Sequence, residues 1–140
     1  MKLEKQVCNK NLAIRIETLG VKQDSLFYWY KNKYIKKFEI IGNGRVCVDN
    51  ASFCFSIEKD AGDEVHSAFT TTELGKMLKD DEYTYFLWGY YLQKRDCFDL
   101  ILESHDRTQM IFETRAKTEA DVRAKMLIYL IENKLIKAKK

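Results

Sequence analysis

The sequence predicts an α+β fold: antiparallel sheets drawn from two meanders, with two short helices and a long C-terminal helix. Three observations predict it. Apolar residues recur at helical spacing in three places, each opened by a capping residue. Between them run β-rich stretches, separated by Gly, Asn, Asp and Ser clusters. There is no proline in the 140 residues, so those residue types must make every turn.

Asn9 to Leu19 reads as the first helix. Leu12, Ile16 and Leu19 share one face with Ala13 alongside, Asn9 or Asn11 caps the start, and Gly20 suits a left-handed cap at the end. Leu26-Phe27-Tyr28-Trp29-Tyr30 is an aromatic run typical of a strand, followed by a turn at Lys31-Asn32-Lys33. Lys37 to Ile41 and Arg45 to Asp49 flank Gly42-Asn43-Gly44, a hairpin signal. After Asp49-Asn50-Ala51-Ser52, Phe53, Phe55 and Ile57 alternate with Cys54, Ser56 and Glu58. The polar stretch from Glu58 to Ser67 is expected to be a loop.

Thr70 and Glu73 form a capping box ahead of Leu74, Met77 and Leu78, the apolar edge of a second helix. Gly75 weakens that helix by about 1 kcal/mol relative to Ala, so it must lean on tertiary contacts. Asp80-Asp81-Glu82 opposes the helix dipole and belongs in a solvated loop. Tyr83–Leu92, Cys97–Leu102 and Gln109–Glu113 form the second meander, turning at Gln93–Asp96 and Ser104–Arg107. Thr118 with Asp121 approximates a capping box for the last helix. Val122, Met126, Tyr129, Leu130 and Asn133 lie along one face of it, broadened by Leu127, Ile128 and Ile131, while Leu135-Ile136 docks back. All of this fits one domain over residues 1–140; the repeated rhythm of helix then strands leaves open a duplication about residue 68.

Composition narrows the function classes. The net charge is +3, and 46% of residues are hydrophobic, an ordinary globular balance. That charge is too small for a dedicated phosphate-backbone binder, leaving weak nucleic-acid binding as a third class. No apolar run is long enough to span a bilayer and the N-terminal residues have no secretory pattern, so a cytoplasmic location and no membrane partner are expected. Cys8, Cys47, Cys54 and Cys97 include no C-x-x-C pair, and His66 and His105 stand far apart. Free thiols, no metal and no cofactor are expected.

Catalytic constellations are thin. Ser104-His105-Asp106 holds triad residue types, but neighbours in a turn do not meet in triad geometry. Cys97 with His105, or Cys54 with His66, would need to meet in space. Glu103 and Glu113 fall on neighbouring strands and are weighed as paired carboxylates against ordinary exposed positions. Asp80-Asp81-Glu82 lacks a phosphate loop beside it, and Gly42-Asn43-Gly44 lacks the Lys-Ser/Thr ending of one.

The most suggestive surface is Lys22 to Phe38, where five lysines interleave with Phe27, Tyr28, Trp29, Tyr30, Tyr34 and Phe38. Aromatic faces stack bases while ammonium groups meet phosphates. The competing reading puts alternate aromatics in the core and the lysines along a solvated edge. Tyr90, Tyr91, Lys94 and Arg95 form a similar patch in the second half. Trp29, Lys31, Lys33, Arg45, Trp88 and Arg95 are therefore the candidate ligand-binding residues: aromatics for stacking, cations for phosphate.

Three stretches stand out together: Val7-Cys8 through Leu12-Ala13 and Leu19-Gly20-Val21-Lys22-Gln23 to Trp29, then Phe69-Thr70 through Glu73-Leu74-Gly75 to Leu78, then Thr118-Glu119-Ala120-Asp121 through to Ile136. In this order they resemble a family of small proteins from phages, prophages and other mobile elements, one to which no reaction or cofactor is assigned. The resemblance implies provenance: an accessory factor, such as a host-defence inhibitor that sequesters a nucleotide-type immune signal. The alternative is a protein–protein inhibitor or assembly module, binding a host defence protein or guide complex through its aromatic run. Both are non-enzymatic binders, expected as homo-oligomers, in the first instance homodimers.

Overall fold

A computed structural model describes residues 2–31, 34, 37–42, 64–78, 84–90, 97–103 and 108–138. A 3-10 turn at Leu3–Lys5 leads to helix α1 (Lys10–Thr18). Strands β1 (Phe27–Lys31), β2 (Glu39–Gly42) and β3 (Glu64–Ser67) precede helix α2 (Thr71–Met77). Strands β4 (Thr84–Tyr90), β5 (Cys97–Glu103) and β6 (Met110–Ala116) precede helix α3 (Glu119–Glu132). The fold is α+β, with two antiparallel sheets ordered β2-β1-β3 and β4-β5-β6.

The helix boundaries follow from side chains that satisfy terminal amides. Asn9 accepts from Leu12 N–H at 3.0 Å, opening α1. At the other end Gly20 adopts φ +87°, so its N–H reaches Glu17 and Val21 N–H reaches Ile16, a Schellman closure. Thr70 and Glu73 make the full reciprocal capping box of α2. A Cβ at Gly75 would stand 2.7 Å from Arg123 Nη1, the end of a flexible side chain that would have to shift.

At α3 the structure corrects one detail. Thr118 caps as expected, accepting from Asp121 N–H at 3.1 Å. Asp121, however, accepts from Asn9 N–H at 2.7 Å, so the caps of α1 and α3 are joined across 112 residues. Asp is one methylene shorter than the Glu of a full box. Asn133 also departs from expectation: it is exposed, and its side-chain amide donates to Tyr129 O. Lys134 follows at φ 58° and, with Leu135 bonded to Leu130 O, closes α3 as a second Schellman motif. Leu135 and Ile136 then pack against the core, as expected.

β1 is the centre of the first sheet. Tyr28, Trp29 and Tyr30 face Ile41, Ile40 and Glu39 on one side and Ser67, His66 and Val65 on the other. Glu64–Ser67 is thus a strand, not the loop expected from its polarity. Four residues beside an aromatic strand need only backbone pairing to hold them. The expected strands at Arg45–Asp49 and Phe53–Ile57 lie outside the described residues, as do the turns at 93–96 and 104–107 and the acidic triplet at 80–82. The second sheet is the expected meander, with β6 running three residues further than its apolar pattern.

One core joins these pieces. Ile16, Phe69, Leu74, Leu100, Leu102, Met126, Leu127 and Leu130 are all buried in a single cluster. Each large apolar side chain contributes about 1.5–3 kcal/mol on burial. α1 packs on β3 and α3, α2 packs on α3, and α3 lies on β5 and β6. Phe112 of β6 stacks on Tyr129 of α3 with ring centroids 3.7 Å apart. On the other face of the second sheet Arg115 donates two hydrogen bonds to Asp99, at 2.5 and 2.8 Å. Those bonds hold the Asp99 carboxyl below its ordinary range, against the opposing effect of burial.

Candidate functional site

Trp29 and Lys31 come from adjacent turns of the pleat on β1, so both follow from the aromatic-basic strand. The Trp29 indole N–H donates to the Cys8 carbonyl at 2.9 Å, which fixes the ring with one side against the core. Burial pushes the Cys8 thiol up to about 12, so it is a neutral packing group here.

The other side of Trp29 lines a groove of about 500 Å³ between the Leu3–Lys5 turn and the Lys37–Ile40 approach to β2. Lys2, Glu4, Lys37 and Glu39 line its walls, so those formal charges balance. Phe38 tips the balance. Lys10 lies 4.5 Å from its ring centroid and Lys31 5.2 Å, drawn by the ring quadrupole. Lys31 also stands 3.5 Å from Glu64, a loose and partly exposed pair. Two ammonium groups thus stand against the Phe38 ring at the edge of the groove.

Behind Phe38 lies His66, its ring centroid 6.1 Å away. Nδ1 contacts Glu17 of α1, and Nε2 is 3.7 Å from Glu64. Among the described residues Nε2 has no hydrogen-bond partner, although it is buried. This group braces α1 against β3 and backs the ring that lines the groove.

Of the six candidate residues, Trp29 lines this groove and Lys31 stands over Phe38, which lines it too. Trp88 lies on β4 in the other sheet, paired in register with Asp99. Lys33, Arg45 and Arg95 lie outside the described residues. Sequence reading named Phe38 in the aromatic-basic stretch but not among the six candidates, and it missed Lys2 and Lys10, which lie far from that stretch in the chain.

The other chemical candidates resolve as follows. Glu103 is paired with Met110 and Glu113 with Ile101, so the two carboxylates are not directly opposed. Ser104-His105-Asp106, Cys54 and Asn43-Gly44 lie outside the described residues. Among the described residues no three His, Cys, Asp or Glu are grouped to hold a metal ion, and no helix is long and apolar enough to cross a membrane.

Compared with protein-family models, with curated proteins and with solved structures, the chain matches none of them.

Proposed function

We propose that this chain is a non-enzymatic binding protein that holds a phosphate-bearing small molecule in the Trp29 groove. The observation that carries the reading is Phe38 with two ammonium groups, Lys10 and Lys31, within 4.5 and 5.2 Å of its ring, beside Trp29 in a cleft of about 500 Å³. A planar base stacks on the aromatic side chains and its phosphate exchanges with Glu64 for Lys31. The resemblance of its three segments to phage and prophage proteins supports the sharper form: a cytoplasmic accessory factor that sequesters a nucleotide-type immune signal from host defence. Calorimetry of the full chain against cyclic nucleotides and ADP-ribose derivatives tests it. Saturable heat with one of them, weakened in Lys31→Gln and Phe38→Leu, is expected. Silence across the whole panel overturns the small-ligand reading.

A second reading has its own support. Met110 and Ile111 are 62% and 38% exposed where β6 meets a register shift, and Tyr34 is 82% exposed. Such side chains suit a protein–protein inhibitor or a dimer contact. A stoichiometric protein partner lost in Met110→Ser/Ile111→Ser, with calorimetry silent, would favour this reading over the first. Native mass spectrometry gives the subunit number.

A further inference from the structure

A second recess lies apart from the Trp29 groove and shares no residue with it. Lys5 of the 3-10 turn, Leu26 just ahead of β1, Thr71 and Thr72 of α2, Phe98 of β5 and Lys117 just ahead of α3 line it. Its volume is about 510 Å³, within the roughly 300–1,000 Å³ of small-molecule sites. Leu26 is 56% exposed beside the buried Ser25. With Phe98 it forms an apolar wall.

The polar groups around this wall divide into engaged and available. The corner amides are engaged: Thr70 N–H donates to Glu73, Thr71 N–H to Gln6 O, and Glu73 and Asp121 N–H to the threonine caps. The carboxylates are engaged too. Glu73 accepts from Ser25, Leu26 and Thr70, and Glu119 accepts from Arg123. Among the described residues, no ion pair holds Lys5 or Lys117. The recess therefore presents two ammonium groups and threonine hydroxyls beside apolar surface.

We infer that this recess binds a small amphipathic anion, its apolar body against Leu26 and Phe98 and its phosphate or carboxylate between Lys5 and Lys117. Charge-assisted hydrogen bonds from two lysines orient the head, and the wall supplies the area. The site stands independently of the Trp29 groove, so failure of either reading leaves the other intact.

The test is amide-shift mapping on the full ¹⁵N-labelled chain, using phenyl phosphate, benzoate and inorganic phosphate as probes. Phenyl phosphate is expected to shift Thr71, Thr72, Phe98 and Lys117 saturably while the Trp29 indole stays still. Inorganic phosphate binds about tenfold more weakly, because it has no body for the wall. Lys5→Gln/Lys117→Gln weakens phenyl phosphate by about tenfold with an unchanged melting temperature, since both side chains are exposed. Benzoate matching phenyl phosphate assigns the head group as any small anion; weaker benzoate assigns it as phosphate. Shifts that never saturate, equal binding of inorganic phosphate, or full affinity in the double variant would overturn the inference.

Discussion

Replacing Asp121 with Glu separates two accounts of how α3 begins. Capping-box logic favours Glu at this position, because its longer arm reaches back to the cap residue's own N–H. That account expects Asp121→Glu to stabilise the chain by a few tenths of a kcal/mol. The structure expects the opposite sign. Asp121 accepts from Asn9 N–H at 2.7 Å, and the partner is the residue that caps α1. A hydrogen bond to a charged group contributes about 1.5–3 kcal/mol, and the exposed setting places this one near the lower end. Offsetting about 0.5 kcal/mol for a repaired box leaves a net loss of about 1 kcal/mol. For a chain this size that is a fall of roughly 3–4 °C in Tm. Asp121→Asn keeps an acceptor oxygen without the charge and should fall between Glu and wild type. Urea denaturation with an unchanged slope reads the difference directly. An Asp121→Glu protein as stable as wild type, or more so, would refute the cross-helix bond.

Three further expectations follow from single residues. Lys134 carries φ 58° at the end of α3, so Lys134→Gly should raise stability by about 1 kcal/mol, and a thermal melt showing no gain would count against the Schellman closure. Cys8, with its thiol at about 12, is about one part in ten thousand thiolate at pH 8 and should escape iodoacetamide in the native chain, reacting only in urea; peptide-resolved mass spectrometry reads it, and early labelling would contradict its burial. Asp99 is held below its ordinary range, so its pairing with Arg115 stabilises the fold fully above about pH 5 and fades as pH falls through and below about 3.9. The stability of Asp99→Asn should accordingly drop less than that of wild type between about pH 5 and pH 2, and parallel curves would show that the pair contributes nothing.

Much of this architecture is written in local signals. Asn9, Thr70 with Glu73, Thr118 and Gly20 mark helix ends through hydrogen bonds that span three or four residues, so the chain announces them locally. β1 and β4 are legible because aromatic residues crowd them. Glu64–Ser67 is not, because its strand character comes from a partner 35 or so residues away on β1 rather than from its own pattern. The groove shows the same division. Trp29 and Lys31 were visible as an aromatic beside a cation, whereas Lys10 reaches the Phe38 ring only after α1 docks. The second recess was invisible for the same reason: Lys5, Leu26, Phe98 and Lys117 are dispersed along the chain and converge only in the folded protein.

The central claim is that the Trp29 groove retains a phosphate-bearing molecule without altering it. Its most direct test incubates the intact chain with the nucleotide that gives calorimetric heat, denatures the complex and weighs what comes off. Stoichiometric recovery of the unchanged nucleotide is the predicted result. A hydrolysed or rearranged product, absent from a control without protein, would contradict it.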